Sequence, residues 1–104
     1  MRFIAKIKFP NEPGNDRIKD PEFGIKMKQI LEEVKAEAAY FTTIDGCRGV
    51  YLVVNLTDNN QLPLVAEPFF LWLNATVEYF PVMTPQDLNS ATAYIDAASR
   101  KWGN

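Results

Sequence analysis

Asp45-Gly46 sits in the middle of residues 39–55, a stretch whose apolar positions recur at every second residue. That dipeptide inside an alternating run is the strongest short-range hairpin signal, because both central residues of a tight turn need a backbone that Asp and Gly tolerate. Two antiparallel strands are therefore expected, with Phe41 beside Val50 and Tyr40 beside Tyr51. Strand side chains alternate between the two faces. Val50, Leu52 and Val54 with Ala39 and Phe41 form one face, fit to pack on helices, and Tyr40, Thr42, Tyr51 and Val53 form the other.

Residues 2–9 alternate in the same way, with Phe3, Ala5, Ile7 and Phe9 opposed to Arg2, Ile4, Lys6 and Lys8, and read as a first strand. Residues 10–19, with Pro10, Asn11, Pro13, Gly14 and Asn15, read as a loop. Asp20-Pro21 then predicts a helix start, followed at helical spacing by Phe23, Met27, Ile30, Leu31, Val34 and Ala38. A second helix opens at Asp58-Asn59 and carries Leu62, Val65, Ala66, Phe69, Phe70 and Leu73; Pro68 predicts a kink or two pieces. Asn74 is its expected C-cap. A last strand runs through Thr76, Glu78 and Phe80, and Pro81 marks it as an edge. Thr84-Pro85-Gln86-Asp87 resembles a capping box, and Leu88, Ala91, Ile95, Ala98 and Trp102 follow at spacings of 3, 4, 3 and 4. That seam predicts a docked helix with Trp102 buried against a helix or a second subunit.

The order βαββαβ with short connections predicts an α+β, ferredoxin-like sandwich with an added C-terminal helix, one domain spanning residues 1–104. Both helices then cover one sheet face. The other carries Ile4, Lys6, Lys8, Tyr40, Thr42, Tyr51, Val53, Glu78 and Phe80, a mixture too aromatic to be left in water, so a homodimer joined through this face is expected. Leu71 and Trp72 are further apolar residues in excess of what one subunit's helices can cover.

The chain has no histidine, which removes every His-based triad and metal site and leaves acid–base work to carboxylates, Lys, Tyr or the single Cys47. Neither a metal nor a cofactor is expected. Eleven basic and thirteen acidic residues leave a net charge of −2, against a polyanion partner. The βαββαβ order is shared with RNA-recognition domains, but residues 48–55, RGVYLVVN, place Val50, Leu52 and Asn55 where stacking aromatics are required. No nucleic acid is expected. The longest apolar run, Phe69 to Leu73, is far short of the roughly 20 residues of a membrane span, and Lys6 and Lys8 interrupt any signal-peptide core, so a cytoplasmic protein is expected.

Residues 37–54, EAAYFTTIDGCRGVYLVV, and 66–88, AEPFFLWLNATVEYFPVMTPQDL, in this order of elements resemble a group of small uncharacterised bacterial proteins of the dimeric α/β-barrel superfamily. The resemblance covers essentially the whole chain. It implies a ferredoxin-like subunit whose sheet packs on its partner's; the superfamily includes cofactor-independent monooxygenases, muconolactone isomerases and dehydratases. Active members often use a cleft histidine, which this chain lacks, so no catalytic residue carries over.

Candidate site residues follow from the chemistry of the faces. Lys6 with Tyr40, Tyr51, Glu78 and Phe80 can hold a small anionic or aromatic ligand, or Lys6 and Glu78 can simply pair across strands in a subunit interface. Glu67, before Pro68, is a candidate acceptor or merely a helix cap. Asn15 lies in a segment longer than a plain connection needs, either a ligand loop or a rigid turn. Cys47 lacks a positioned base and reads as inert. Two functions remain open: a small-molecule binding protein or cofactor-free enzyme with a pocket between sheet and helices, and a homodimeric structural or regulatory module with none.

Overall fold

The hairpin forms as its turn chemistry dictates. In the computed structural model, which describes residues 1–104, β2 (Ala38–Ile44) and β3 (Cys47–Asn55) are joined through Asp45 and Gly46, with φ of 50° and 78°. Tyr40 stands opposite Tyr51 and Phe41 opposite Val50. β1 (Arg2–Phe9) pairs antiparallel with β3 on one side and with β4 (Thr76–Pro81) on the other, giving the sheet order β2-β3-β1-β4. Pro81 does lie on an edge strand, where its missing N–H costs no ladder bond. The protein is thus α+β, with a four-stranded antiparallel sheet and five helices, an arrangement compatible with a ferredoxin-like fold.

Helices α2 (Phe23–Glu33) and α3 (Leu62–Leu73) pack on one sheet face. Ala5, Ile7, Val50, Leu52 and Val54 from the sheet and Val65, Phe69 and Leu73 from α3 are fully buried there, and every buried side chain is apolar. Tyr79 is the one polar group reaching into this layer. Its hydroxyl donates to the Leu62 carbonyl at 2.6 Å, its ring meets Phe3 edge-on at 5.9 Å, and burial pushes its phenol above the usual range.

Several expectations need correction. Residues 11–18, expected as a loop, form a short helical segment, α1 (Asn11–Ile18), kinked at Glu12, whose φ of −119° and ψ of 118° are extended rather than helical. Asp20 does cap the following turn, its carboxylate accepting from Glu22 N–H at 2.9 Å, but α2 begins only at Phe23. It ends at Glu33, where Lys35 takes a positive φ and Ala36 N–H returns to the Leu31 carbonyl, so Ala38 belongs to β2. Pro68 leaves α3 a single helix: the amide it lacks would have bonded to Leu64, an exposed residue. Asp58 and Gln61 cap a preceding 3-10 turn reciprocally, and Asn74 closes α3 in the left-handed conformation. Phe41 shares the helix-side face but lies on edge strand β2, beyond the helices' reach, and is 58% exposed.

The C-terminal seam departs furthest from expectation. The Thr84–Asp87 capping box is present, but Ala91 divides the segment into α4 (Pro85–Ser90) and α5 (Thr92–Trp102). Neither helix buries a residue. Leu88, Ile95 and Trp102 are exposed, Trp102 by 75%, and the molecule is drawn out to 57 × 27 × 21 Å. Trp102 is therefore not buried against a helix of its own subunit. Its ring is met only by Lys101, whose Nζ lies 4.9 Å from the ring centroid.

Asp87 provides a pH readout of this segment. Its carboxylate accepts from Thr84 N–H at 2.9 Å, and the Thr84 bonds hold its pKa below the ordinary Asp value of about 3.9. A depressed folded pKa means that the cap contributes above the unfolded value and is lost as pH falls through the folded one. Helicity of α4 should therefore fall on acidification below about pH 4. An Asp87 carboxyl NMR titration with a midpoint at or above the ordinary value would contradict this.

Candidate functional site

The register lays out the sheet face opposite α2 and α3 as three rows crossing all four strands. In strand order these are Ala38–Val53–Ile4–Phe80, Tyr40–Tyr51–Lys6–Glu78 and Thr42–Gly49–Lys8–Thr76. Period-two alternation puts them there, since their neighbours Ala5, Ile7, Leu52 and Val54 point into the core. Five sequence-predicted site residues, Lys6, Tyr40, Tyr51, Glu78 and Phe80, thus share one surface, four of them in a single row. They do not line a pocket between this chain's sheet and helices, because they lie on the wrong side of the sheet for it. That layer is filled by the apolar core.

No element covers the open face. Tyr40 is 65% exposed and Phe80 44%, while Ile4, Lys6, Tyr51 and Val53 on the central strands are half-buried by their neighbours. Lys6 and Glu78 are direct cross-strand neighbours as expected, but the ion pair expected between them is not formed. The ion pairs are instead Lys8 to Asp45 at 3.6 Å and Arg2 to Glu37. The latter is bidentate: Arg2 Nε donates to Oε2 at 2.9 Å and a second guanidinium nitrogen to Oε1 at 3.1 Å. These hydrogen bonds hold Glu37 below the usual carboxylate range. Counting the rim, Arg2, Lys6 and Lys8 face Glu37, Asp45 and Glu78, so the surface is charge-neutral.

The remaining two candidates are elsewhere. Asn15 lies on α1, where its side-chain oxygen accepts from the Arg48 guanidinium at 2.8 Å and its nitrogen donates to Glu12 at 3.2 Å. It ties α1 to β3, with the Arg48 guanidinium lying against the buried Gly14 beside it. Glu67 is exposed on α3, remote from the sheet face and without a hydrogen-bonding partner. Cys47 is half-buried and free.

Sequence reasoning missed a cleft of about 460 Å³ on the outer surface of the helix layer, between α2 and α3. Lys26, Ile30 and Glu33 form one wall and Pro68, Leu71 and Trp72 the other. Arg17 closes an end, donating from Nε to the Trp72 carbonyl at 3.1 Å. Trp72 stacks obliquely on Phe23, centroids 5.0 Å apart, and Lys26 Nζ lies 5.9 Å from its ring. Excess Leu71 and Trp72 were legible as apolar surplus; the cations joining them from α1 and α2 were not, since only helix packing brings them together. A smaller cleft of about 190 Å³ lies by Met1, Phe3 and Leu56.

No helix is long and apolar enough to cross a membrane. No protein-family model matches the chain, and no curated protein matches it in sequence.

Proposed function

We propose that the chain is a homodimeric assembly module of the dimeric α/β-barrel kind, in which the open sheet faces of two copies, each a ferredoxin-like subunit, pack on one another. The observation that carries this reading is the neutral, row-ordered open face. An apolar row, Ala38–Val53–Ile4–Phe80, runs beside a row whose Lys6 and Glu78 already stand opposite each other. On desolvation those two can neutralise one another, which is what a self-pairing surface requires of charges it buries. A surface built to hold a polyanion would keep a cationic excess instead.

A charged substitution in the apolar row tests the assembly without touching the core. Wild-type protein should sediment at micromolar concentration near twice the 11.8 kDa chain mass. Val53→Glu should sediment as the single chain with an unchanged far-UV spectrum. A wild-type monomer under these conditions would overturn the reading.

One observation favours a second reading, a small anionic or aromatic ligand held between the paired faces. Lys6 forms no ion pair and sits next to Tyr51, with Tyr40 one strand further on in the same row. Native mass spectrometry separates the two: a dimer of bare chains supports the module, and a stoichiometric adduct lost in Lys6→Ala supports the ligand.

A further inference from the structure

Helices α4 and α5 form an arm with nothing to lie on. Neither buries a residue, and at 6 and 11 residues both are shorter than the about 12–15 that a helix needs to persist in water without packing. The arm bends at Ala91, whose φ of −89° and ψ of 0° leave the helical range, but its hydrogen-bond ladder carries on. Ala91 N–H donates to the Asp87 carbonyl at 3.1 Å and Ile95 N–H to the Ala91 carbonyl at 3.2 Å. Leu88, Ala91, Ile95, Ala98 and Trp102 run along one side at alternating spacings of 3 and 4, the pattern of a coiled-coil seam. The flanks of this seam differ. Asp87, Tyr94 and Lys101 recur every seven residues on one flank and uncharged Thr92 and Ser99 on the other, while Asp96 and Arg100 lie on the side away from it.

We infer that this arm pairs antiparallel with the α4–α5 arm of a second copy. Two observations name the occupant, and they agree on one alignment. The first is size. Setting Leu88 of one copy opposite Ala98 of the other also sets Ala91 opposite Ile95, and two-fold symmetry repeats both layers. Every layer then joins one large side chain to an alanine, as interdigitating knobs and holes require. Leu88 and Ile95, both exposed within one chain, gain cover from the partner arm.

The second is charge. Asp87 stands one residue before Leu88, and Lys101 three residues after Ala98, so the same alignment brings Asp87 of each copy beside Lys101 of the other. Tyr94 then meets its own counterpart across the two-fold axis. A parallel seam, or an antiparallel one moved by seven residues, leaves Asp87 facing no cation. Both groups are available within their own chain: Lys101 forms no ion pair, and the cap at Thr84 N–H engages only Oδ2 of Asp87.

Four layers cover less than a stable interface needs, so the contact is weak by itself and disulfide trapping reads it. Two full-length variants, Leu88→Cys carrying a mass tag and Ala98→Cys without one, both in a Cys47→Ser and Val53→Glu background, are mixed at high concentration and mildly oxidised. Val53→Glu removes the sheet-face contact proposed above, so the arm and that dimer stand or fall separately. The expected product is heterotypic, several-fold above either homotypic dimer and above the product of Leu88→Cys with Arg100→Cys. Lys101→Glu in the Ala98→Cys chain should lower it several-fold, whereas Arg100→Glu, the same change of charge on the side away from the seam, should leave it unchanged. Heterotypic product no greater than the Arg100→Cys control overturns the pairing. A dominant homotypic Leu88→Cys dimer, the mark of parallel arms, overturns it as well, and equal effects of the two Glu substitutions overturn the alignment that charge selects.

Discussion

Replacing Phe69 by alanine is expected to lower the free energy of unfolding by about 3–5 kcal/mol. Phe69 is among the largest fully buried side chains and lies on α3 against the centre of the sheet. Its removal costs the transfer of an aromatic ring and leaves a cavity that the surrounding β-branched residues Ile7, Val50, Val54 and Val65 are too stiff to fill. Because small domains carry only about 5–15 kcal/mol in total, such a loss takes a large part of the stability. Phe70, the next residue, supplies the control: it is 41% exposed, and Phe70→Ala should cost less than about 1 kcal/mol. Urea unfolding with a common slope measures both. Equal midpoints for the two variants would show that α3 does not dock through Phe69.

Gly49→Val should destabilise by about 1–3 kcal/mol or more, through overpacking rather than a cavity. Gly49 lies on β3, paired with Lys8 of β1, and Ile44 from the hairpin folds across it. A β-carbon there would overlap the Ile44 side chain and stand 2.9 Å from the Ile7 carbonyl oxygen. Ile44 is buried and Ile7 O belongs to a central strand, so neither can yield cheaply. Gly24, on exposed α2 surface with nothing within 4 Å of a β-carbon, predicts the opposite sign. Gly24→Ala should stabilise by about 0.5–1 kcal/mol, because alanine loses less backbone entropy on entering a helix. Thermal melts of the two variants displaced in the same direction would contradict the assignment of Gly49 as a close-approach position.

Whatever depends on neighbours along the chain was legible in the amino-acid order. Asp45-Gly46 dictates the hairpin register through turn geometry alone, and alternation within 2–9 and 47–55 then assigns every side chain of β1 and β3 to a face. The same alternation places Lys6, Tyr40, Tyr51, Glu78 and Phe80 on one surface. Caps at Asp58, Asn74 and Thr84 were legible because their side chains bond within a few residues.

Tertiary structure alone decided what depends on neighbours across space. The segment 11–18 reads as a loop by composition, and packing against β3 through Asn15 and Arg48 accompanies its helical turn beyond the kink at Glu12. Helical spacing in α5 specified a face but not whether its own subunit offers a surface to meet it; Trp102 stands in solvent. Pro68 carries the same lesson in reverse. Chain-local chemistry argues for a break, but burial of Val65, Ala66, Phe69 and Leu73 on both sides of it keeps α3 whole, since several large apolar contacts outweigh one absent hydrogen bond at an exposed carbonyl.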